Sequence, residues 1–217
     1  MLNSLGYYVD IAISISKGIP VTLLYSVLSV TFGFFIGAFL AFLKVSNNRL
    51  VNIFAEAYTS IFRGTPLLIQ LSVVVYAIPP LLNIKLSLLQ GGVIAFSLNS
   101  GAYVSEIIRA GIQSVDKGQF EAAKSLGIPY SLTMKDIILP QAVRNVLPSL
   151  VNELINMLKE SALISVLGEA DIMRLAQLTS ARTYDYFTPL LIAGFYYYIL
   201  ILILSYIGKV VERKMKI

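Results

Sequence analysis

The chain has 217 residues, of which 57% are hydrophobic and 13% charged, with a net charge of +5 and a mean hydropathy of +0.77. A soluble domain is about a quarter charged, so the bulk of this chain belongs in lipid, as one membrane domain covering 1–217. The lack of histidine and cysteine excludes disulfides and thiolate chemistry, leaves no usual metal site, and removes the commonest general base.

In chain order, residues 1–17 carry apolar Leu2, Leu5, Val9 and Ile13 against polar Asn3, Asp10 and Ser14. This pattern predicts a peripheral amphipathic helix on the outer membrane surface. A bilayer-crossing helix needs about 20 mainly apolar residues, and five segments supply them. The first is 20–43, ending at Lys44. The second is 54–79, closed by Pro79 and Pro80. The third, 91–110, is entered through Gly91 and Gly92. The fourth, 147–168, begins near Pro148, and the fifth, 187–208, precedes a basic tail from Lys209 to Lys216. The expected fold class is an all-α membrane protein with five transmembrane helices. Within the second, Thr65-Pro66 introduces a break that frees a backbone carbonyl. No internal repeat is evident, and many carriers that work alone show one.

Charge sets the direction. With the C-terminus inside, the cytoplasmic side holds Lys44, Arg49, Arg109, Lys117, Lys124, Lys135, Arg144, Lys209, Arg213, Lys214 and Lys216. The outer side holds Lys17, Lys85, Arg174 and Arg182. Positive charge belongs inside, so the N-terminus lies outside and the polar loop 112–141, between helices three and four, lies in the cytoplasm. Basic residues placed at span ends serve orientation, which argues against a nucleic-acid partner.

Asp116 and Gln119 form a capping pair that starts a helix in this loop. Gly127 suits the left-handed conformation that ends it. Pro129 blocks continuation, Ser131 caps a second helix over 132–138, and Pro140 ends or bends that one. The result is a compact knob below the membrane. Ala122 and Ala123 permit close approach, Leu126, Ile128 and Tyr130 offer apolar area, and Glu121 and Lys124 supply rim charge.

Glu121-Ala122-Ala123-Lys124-Ser125-Leu126-Gly127, followed by Ile137-x-Leu139-Pro140, resembles the coupling loop of permease subunits of ABC importers. Arg63-Gly64-Thr65-Pro66-Leu67-Leu68, Ala102-Tyr103-x-x-Glu106-Ile107-x-Arg109-Ala110-Gly111-Ile112 and Leu158-Lys159-Glu160-Ser161-Ala162-Leu163 resemble motifs of the branch that takes up polar amino acids such as histidine, glutamine or arginine. The resemblance covers about residues 60–170. It implies docking of Glu121, Ala122, Ala123, Lys124, Leu126, Gly127, Ile128 and Pro140 on an ATP-binding subunit pair. It also implies a second permease copy, either identical or a close paralogue, an extracytoplasmic amino-acid-binding protein, and a prokaryotic cell membrane as the setting.

Ionisable groups at membrane depth cost about 2.5–3.5 kcal/mol on insertion scales, which makes them functional candidates. Glu153, Asn156 and Glu160 lie at i, i+3 and i+7 and share a helix face, with Lys159 beside it. Gln70, Ser72 and Asn99 sit at similar depth on the second and third segments. Together these groups can form a polar ligand site. Internal pairing is the alternative: Glu153 or Glu160 with Lys159 or Arg63, and Asn99 as a bridge between helices. Two carboxylates against one lysine favour a cationic or zwitterionic guest such as arginine, lysine or histidine. Tyr76 and Tyr103 are candidates for lining the path, while Tyr196, Tyr197 and Tyr198 read as packing groups.

The chain has no Gly-x-x-x-x-Gly-Lys-Ser/Thr phosphate loop, so ATP and magnesium fall to a partner and no catalytic residue is assigned. The leading expectation is the membrane subunit of an ATP-driven amino acid importer working by alternating access. A stand-alone ion-coupled carrier is the alternative. An intramembrane Ser161–Lys159 enzyme is disfavoured, because positions two apart on a helix point about 160° away from each other.

Overall fold

Apolar runs bounded by glycine, proline and short polar caps fold as helices throughout the computed structural model, which describes the backbone at 2–46 and 48–215 and side chains at 6–46 and 48–214. The helices are α1 (Leu2–Ser16), α2 (Ile19–Val45), α3 (Arg49–Gly64), α4 (Leu67–Ser72), α5 (Ile78–Leu82), α6 (Leu88–Gln113), α7 (Lys117–Ser125), α8 (Tyr130–Leu132), α9 (Leu139–Glu160), α10 (Ile172–Thr183) and α11 (Phe187–Met215). π-helical turns at Val73–Ala77 and Thr133–Ile138 join α4 to α5 and α8 to α9, and a 3-10 stretch, Ser161–Leu167, extends α9. Lys216, part of the charge argument, lies outside the described residues.

Among the described residues, Gly6–Val45 and Phe187–Lys214 are long and apolar enough to cross a membrane, and the bent pair Arg49–Gly64 and Leu67–Leu82 makes a third. The segment expected at 91–110 lies in a helix of 26 residues, and that expected at 147–168 lies only as far as Glu160 in one of 22, with the 3-10 stretch after it; both helices are more polar. For α6 the reason is enclosure: α2, α3 and α9 pack around it, and Ser97, Asn99, Ser100 and Ser105 are buried there.

The α2–α6 seam is made by small residues. A Cβ on Gly33 would lie 2.7 Å from Ser100 Cβ, one on Gly37 2.6 Å from Val104 Cβ, and one on Gly101 2.6 Å from Ile36 Cγ2. Gly33-x-x-x-Gly37 lets two backbones approach closely enough for dispersion to hold helices that lipid alone does not drive together. Tyr25, Leu71, Phe96, Met157 and Ile164 continue the core around this seam.

The second expected span is not one straight helix. α3 and α4 meet at an angle of 105°, because Pro66 cannot donate to the ladder and Thr65 is extended, with φ −119° and ψ 146°. The fourth also differs. Pro140 does not end a helix: it occupies the first turn of α9, where a missing N–H goes unnoticed. α9 therefore begins eight residues before the expected 147 and runs past Pro148. Ser131 is not a cap, since Pro129 stands at that position.

α1 is helical, and Val9 and Ile13 are exposed. Its opposite side, Ile11 and Ile15, packs on Ile172 and Ala176 of α10 and Ala193 of α11. The side chains of Leu2, Asn3 and Leu5 lie outside the described residues. α10, a helix not expected from the sequence, starts where the Asp171 side chain accepts from Arg174 N–H at 2.8 Å. Tyr197 donates to Asp171 Oδ2 at 3.1 Å and Tyr196 to the Ala12 carbonyl at 2.9 Å, so both tyrosines pack the molecule together as expected.

Candidate functional site

At the α3–α4 break the helix ladder is interrupted and carbonyl groups are freed. Gln70 fills the gap: Nε2 donates to Phe62 O at 2.8 Å, Thr65 O at 3.0 Å and Thr65 Oγ1 at 2.9 Å. Asn99 of α6 then donates to Gln70 Oε1 at 2.9 Å and to Phe62 O at 3.2 Å. Both amides are thus engaged with the break and with each other, which is the interhelical bridging envisaged for Asn99. Ser72 donates to Leu68 O in its own helix at 2.8 Å.

The next residue of α6 faces the other way. Ser100 donates to Glu153 Oε1 of α9 at 2.8 Å, and Glu153 is 6% exposed. Adjacent α6 positions therefore carry the bridges to α4 and to α9. Of the other α9 candidates, Asn156 and Lys159 are exposed and Glu160 is half-buried. The i, i+3, i+7 relation holds, but the face is divided into a buried carboxylate and an open polar rim. Neither Glu153 nor Glu160 makes an ion pair with Lys159 or Arg63 among the described residues.

The loop below forms the expected knob. The Asp116 side chain accepts from Gly118 N–H at 2.6 Å and starts α7. Gly127 has φ 71°, and its N–H donates to Lys124 O at 3.0 Å. Glu121, Ala122, Lys124, Leu126 and Gly127 are exposed, as is Pro140, while Ile128 is half-buried and Ala123 is packed inward. Leu126 is 78% exposed at the tip. Val115, Ile138 and Ala142, with Phe120 and Met134, hold the knob to the root of α9.

One cluster escaped the sequence reading. Lys44, buried at the end of α2, donates to Glu106 Oε1, to Thr59 Oγ1 at 3.0 Å and to Ser105 Oγ at 3.2 Å. Arg109 donates to Glu106 Oε2 through Nη2 at 2.6 Å and Nε at 3.2 Å. Arg63 Nη1 approaches the same oxygen at 3.8 Å, and its guanidinium lies 5.3 Å over the Tyr103 ring. Two of the quoted motifs, separate in sequence, thus meet on one carboxylate. Of the three cations, Lys44 is the buried one, with its side chain 4% exposed against 42% for Arg109 and 45% for Arg63. Tyr103 is exposed beside this cluster, and Tyr76 is exposed on the π turn.

The description "binding-protein-dependent transport system inner membrane component" matches residues 33–217. A putative glutamine transport system permease protein GlnP of Rickettsia conorii is 62% identical over 201 residues, covering 93% of this chain and 92% of that protein. The arginine transport system permease protein ArtQ of Bacillus subtilis is 51% identical over 202 residues, with the same two coverages. Among solved structures, an amino acid ABC transporter crystallised with histidines aligns with a TM-score of 0.89 at 41% identity, covering 99% of this chain and 98% of that one. The methionine ABC transporter MetNI in an inward-facing form shares the fold, with a TM-score of 0.79 at 18% identity over 93% of this chain and 96% of that one.

Proposed function

This chain belongs to the family of binding-protein-dependent transport system inner membrane components, and from that premise we propose that it carries basic or polar amino acids inward as the membrane subunit of an ATP-driven importer. The observation that carries the reading is the likeness, over 99% of the chain, to an amino acid ABC transporter, supported by relatives named for glutamine and arginine transport. A stand-alone ion-coupled carrier finds no counterpart among them.

The knob at 117–138 docks on a pair of ATP-binding subunits, which hold ATP and magnesium. A second permease copy and an extracytoplasmic amino-acid-binding protein complete the complex in the bacterial cell membrane, with the N-terminus outside. Closure of the ATP-binding pair pushes on the knob. The knob joins α6 to α9, so the push tilts the helices that carry Ser100 and Glu153, and ligand access alternates between sides. Asn156, Lys159 and Glu160, backed by Glu153, form the ligand face. Gln70 and Asn99 keep the helix break in shape.

Docking has a direct test at the knob's tip. Leu126→Asp places a charge where an apolar contact is expected, and central apolar anchors in an interface are worth about 2 kcal/mol or more. Co-purification of the ATP-binding subunits with the variant should fall roughly tenfold or more, with membrane recovery of the chain unchanged. Equal recovery of the subunits with both forms would overturn the docking role.

A further inference from the structure

Between α6 and α9, at the end of the molecule where Lys44, Arg109 and Arg144 gather, the surface opens into a groove of 760 Å³. Arg63 and Arg144 line it, with Ser149, Tyr103, Ile107 and Pro148. Arg144 is exposed and makes no hydrogen bond or ion pair among the described residues. Glu106 also borders the groove, but its carboxylate is already taken by Lys44 and Arg109.

The groove's sign is therefore opposite to that of the Glu153–Glu160 face. A cationic amino acid would meet two guanidinium groups there, and its ammonium would find the Glu106 oxygens occupied. An anion finds an open guanidinium, and guanidinium forks match phosphate oxygens. A free soluble anion would satisfy the arginines and leave Tyr103, Ile107 and Pro148 bare. A phospholipid fills both parts, with phosphate on the arginines and the start of an acyl chain on the apolar wall. Basic pockets between membrane helices at the headgroup level take anionic lipids in this way. We propose that this groove binds the phosphate headgroup of an anionic phospholipid, with Arg144 and Arg63 as the phosphate ligands. Because its walls are the two helices joined by the knob, a bound lipid bears on the pair that moves in transport. Neither knob docking nor the ligand face depends on the groove.

The test is lipid retention by the purified full chain, followed by native mass spectrometry after equilibration with phosphatidylglycerol and phosphatidylcholine. Phosphatidylglycerol should be retained roughly tenfold more than phosphatidylcholine, since each basic group near a headgroup contributes about 1 kcal/mol. Arg144→Gln should reduce that preference several-fold. Arg49→Gln, at the same end of the molecule but outside the groove, should keep it. Excess inorganic phosphate should leave the bound phosphatidylglycerol in place. Equal retention of the two lipids, or an undiminished preference in Arg144→Gln, would overturn the site. Displacement by inorganic phosphate would overturn the lipid assignment in favour of a soluble anion. If Arg144→Gln does not accumulate, the lipid comparison and the phosphate competition on the unaltered chain decide.

Discussion

Replacing Gly127 with proline is expected to abolish ATP-driven uptake while the chain still reaches the membrane. Gly127 holds φ at 71°, and proline is locked near −65°. Its N–H, which donates to Lys124 O at 3.0 Å, would also be lost. The turn that folds α7 back toward α8 then cannot form, and the exposed face around Leu126 loses its shape. The spans lie elsewhere in the chain, so insertion is spared. Uptake by proteoliposomes containing the ATP-binding partner should fall at least about tenfold, the effect of some 1.4 kcal/mol lost from coupling. ATP hydrolysis should no longer track substrate. Gly127→Ala, which keeps the N–H but is strained by about 1–2 kcal/mol at positive φ, should fall between. Normal uptake in the proline variant would contradict the knob's role.

The second large effect is expected at α9. Glu160→Gln and Glu153→Gln preserve volume and each replaces an ionisable carboxyl with a neutral amide, at a half-buried and a buried position. In Glu153→Gln the side-chain oxygen can still accept from Ser100, which now donates at 2.8 Å, so the helix contact survives. Attraction between unit charges about 4 Å apart is about 4 kcal/mol at a protein surface, and solvent screens part of it. Uptake of arginine should therefore drop roughly tenfold or more in Glu160→Gln and by less in Glu153→Gln, whose carboxyl lies behind the ligand face, chiefly through KM, with neutral amino acids much less affected. If both variants keep uptake and affinity for cationic amino acids, the ligand face is wrongly assigned.

What the sequence made legible followed local rules. Asp116 and Gly127 punctuate the knob through capping and handedness, which depend on a few neighbouring residues. Pro66 announced a break for the same reason. The angle of that break is stabilised by tertiary bonds: Asn99 reaches across from α6 to Gln70 and Phe62, and no local pattern encodes that. Pro140 misled because a proline in a first turn and one that ends a helix look alike until the preceding backbone is known. There the Thr133–Ile138 π turn is followed without a gap by Leu139, the first residue of α9. Lys44 and Glu106 stand 62 positions apart, and each reads as an ordinary charge near a span end. Only the close α2–α6 packing allowed by Gly33 and Gly37 brings them together. Periodicity correctly put Glu153, Asn156 and Glu160 on one face, but Glu153 is buried where α9 packs on α6 and its carboxylate accepts from Ser100, a residue of another helix.

The most direct measurement of the transport claim is uptake of radiolabelled arginine by liposomes holding this chain, its ATP-binding partner and the amino-acid-binding protein, with no ion gradient imposed. Uptake that requires ATP and stops when the partner is omitted is the predicted result. Uptake by the chain alone, driven by a proton or sodium gradient and indifferent to ATP, would contradict it.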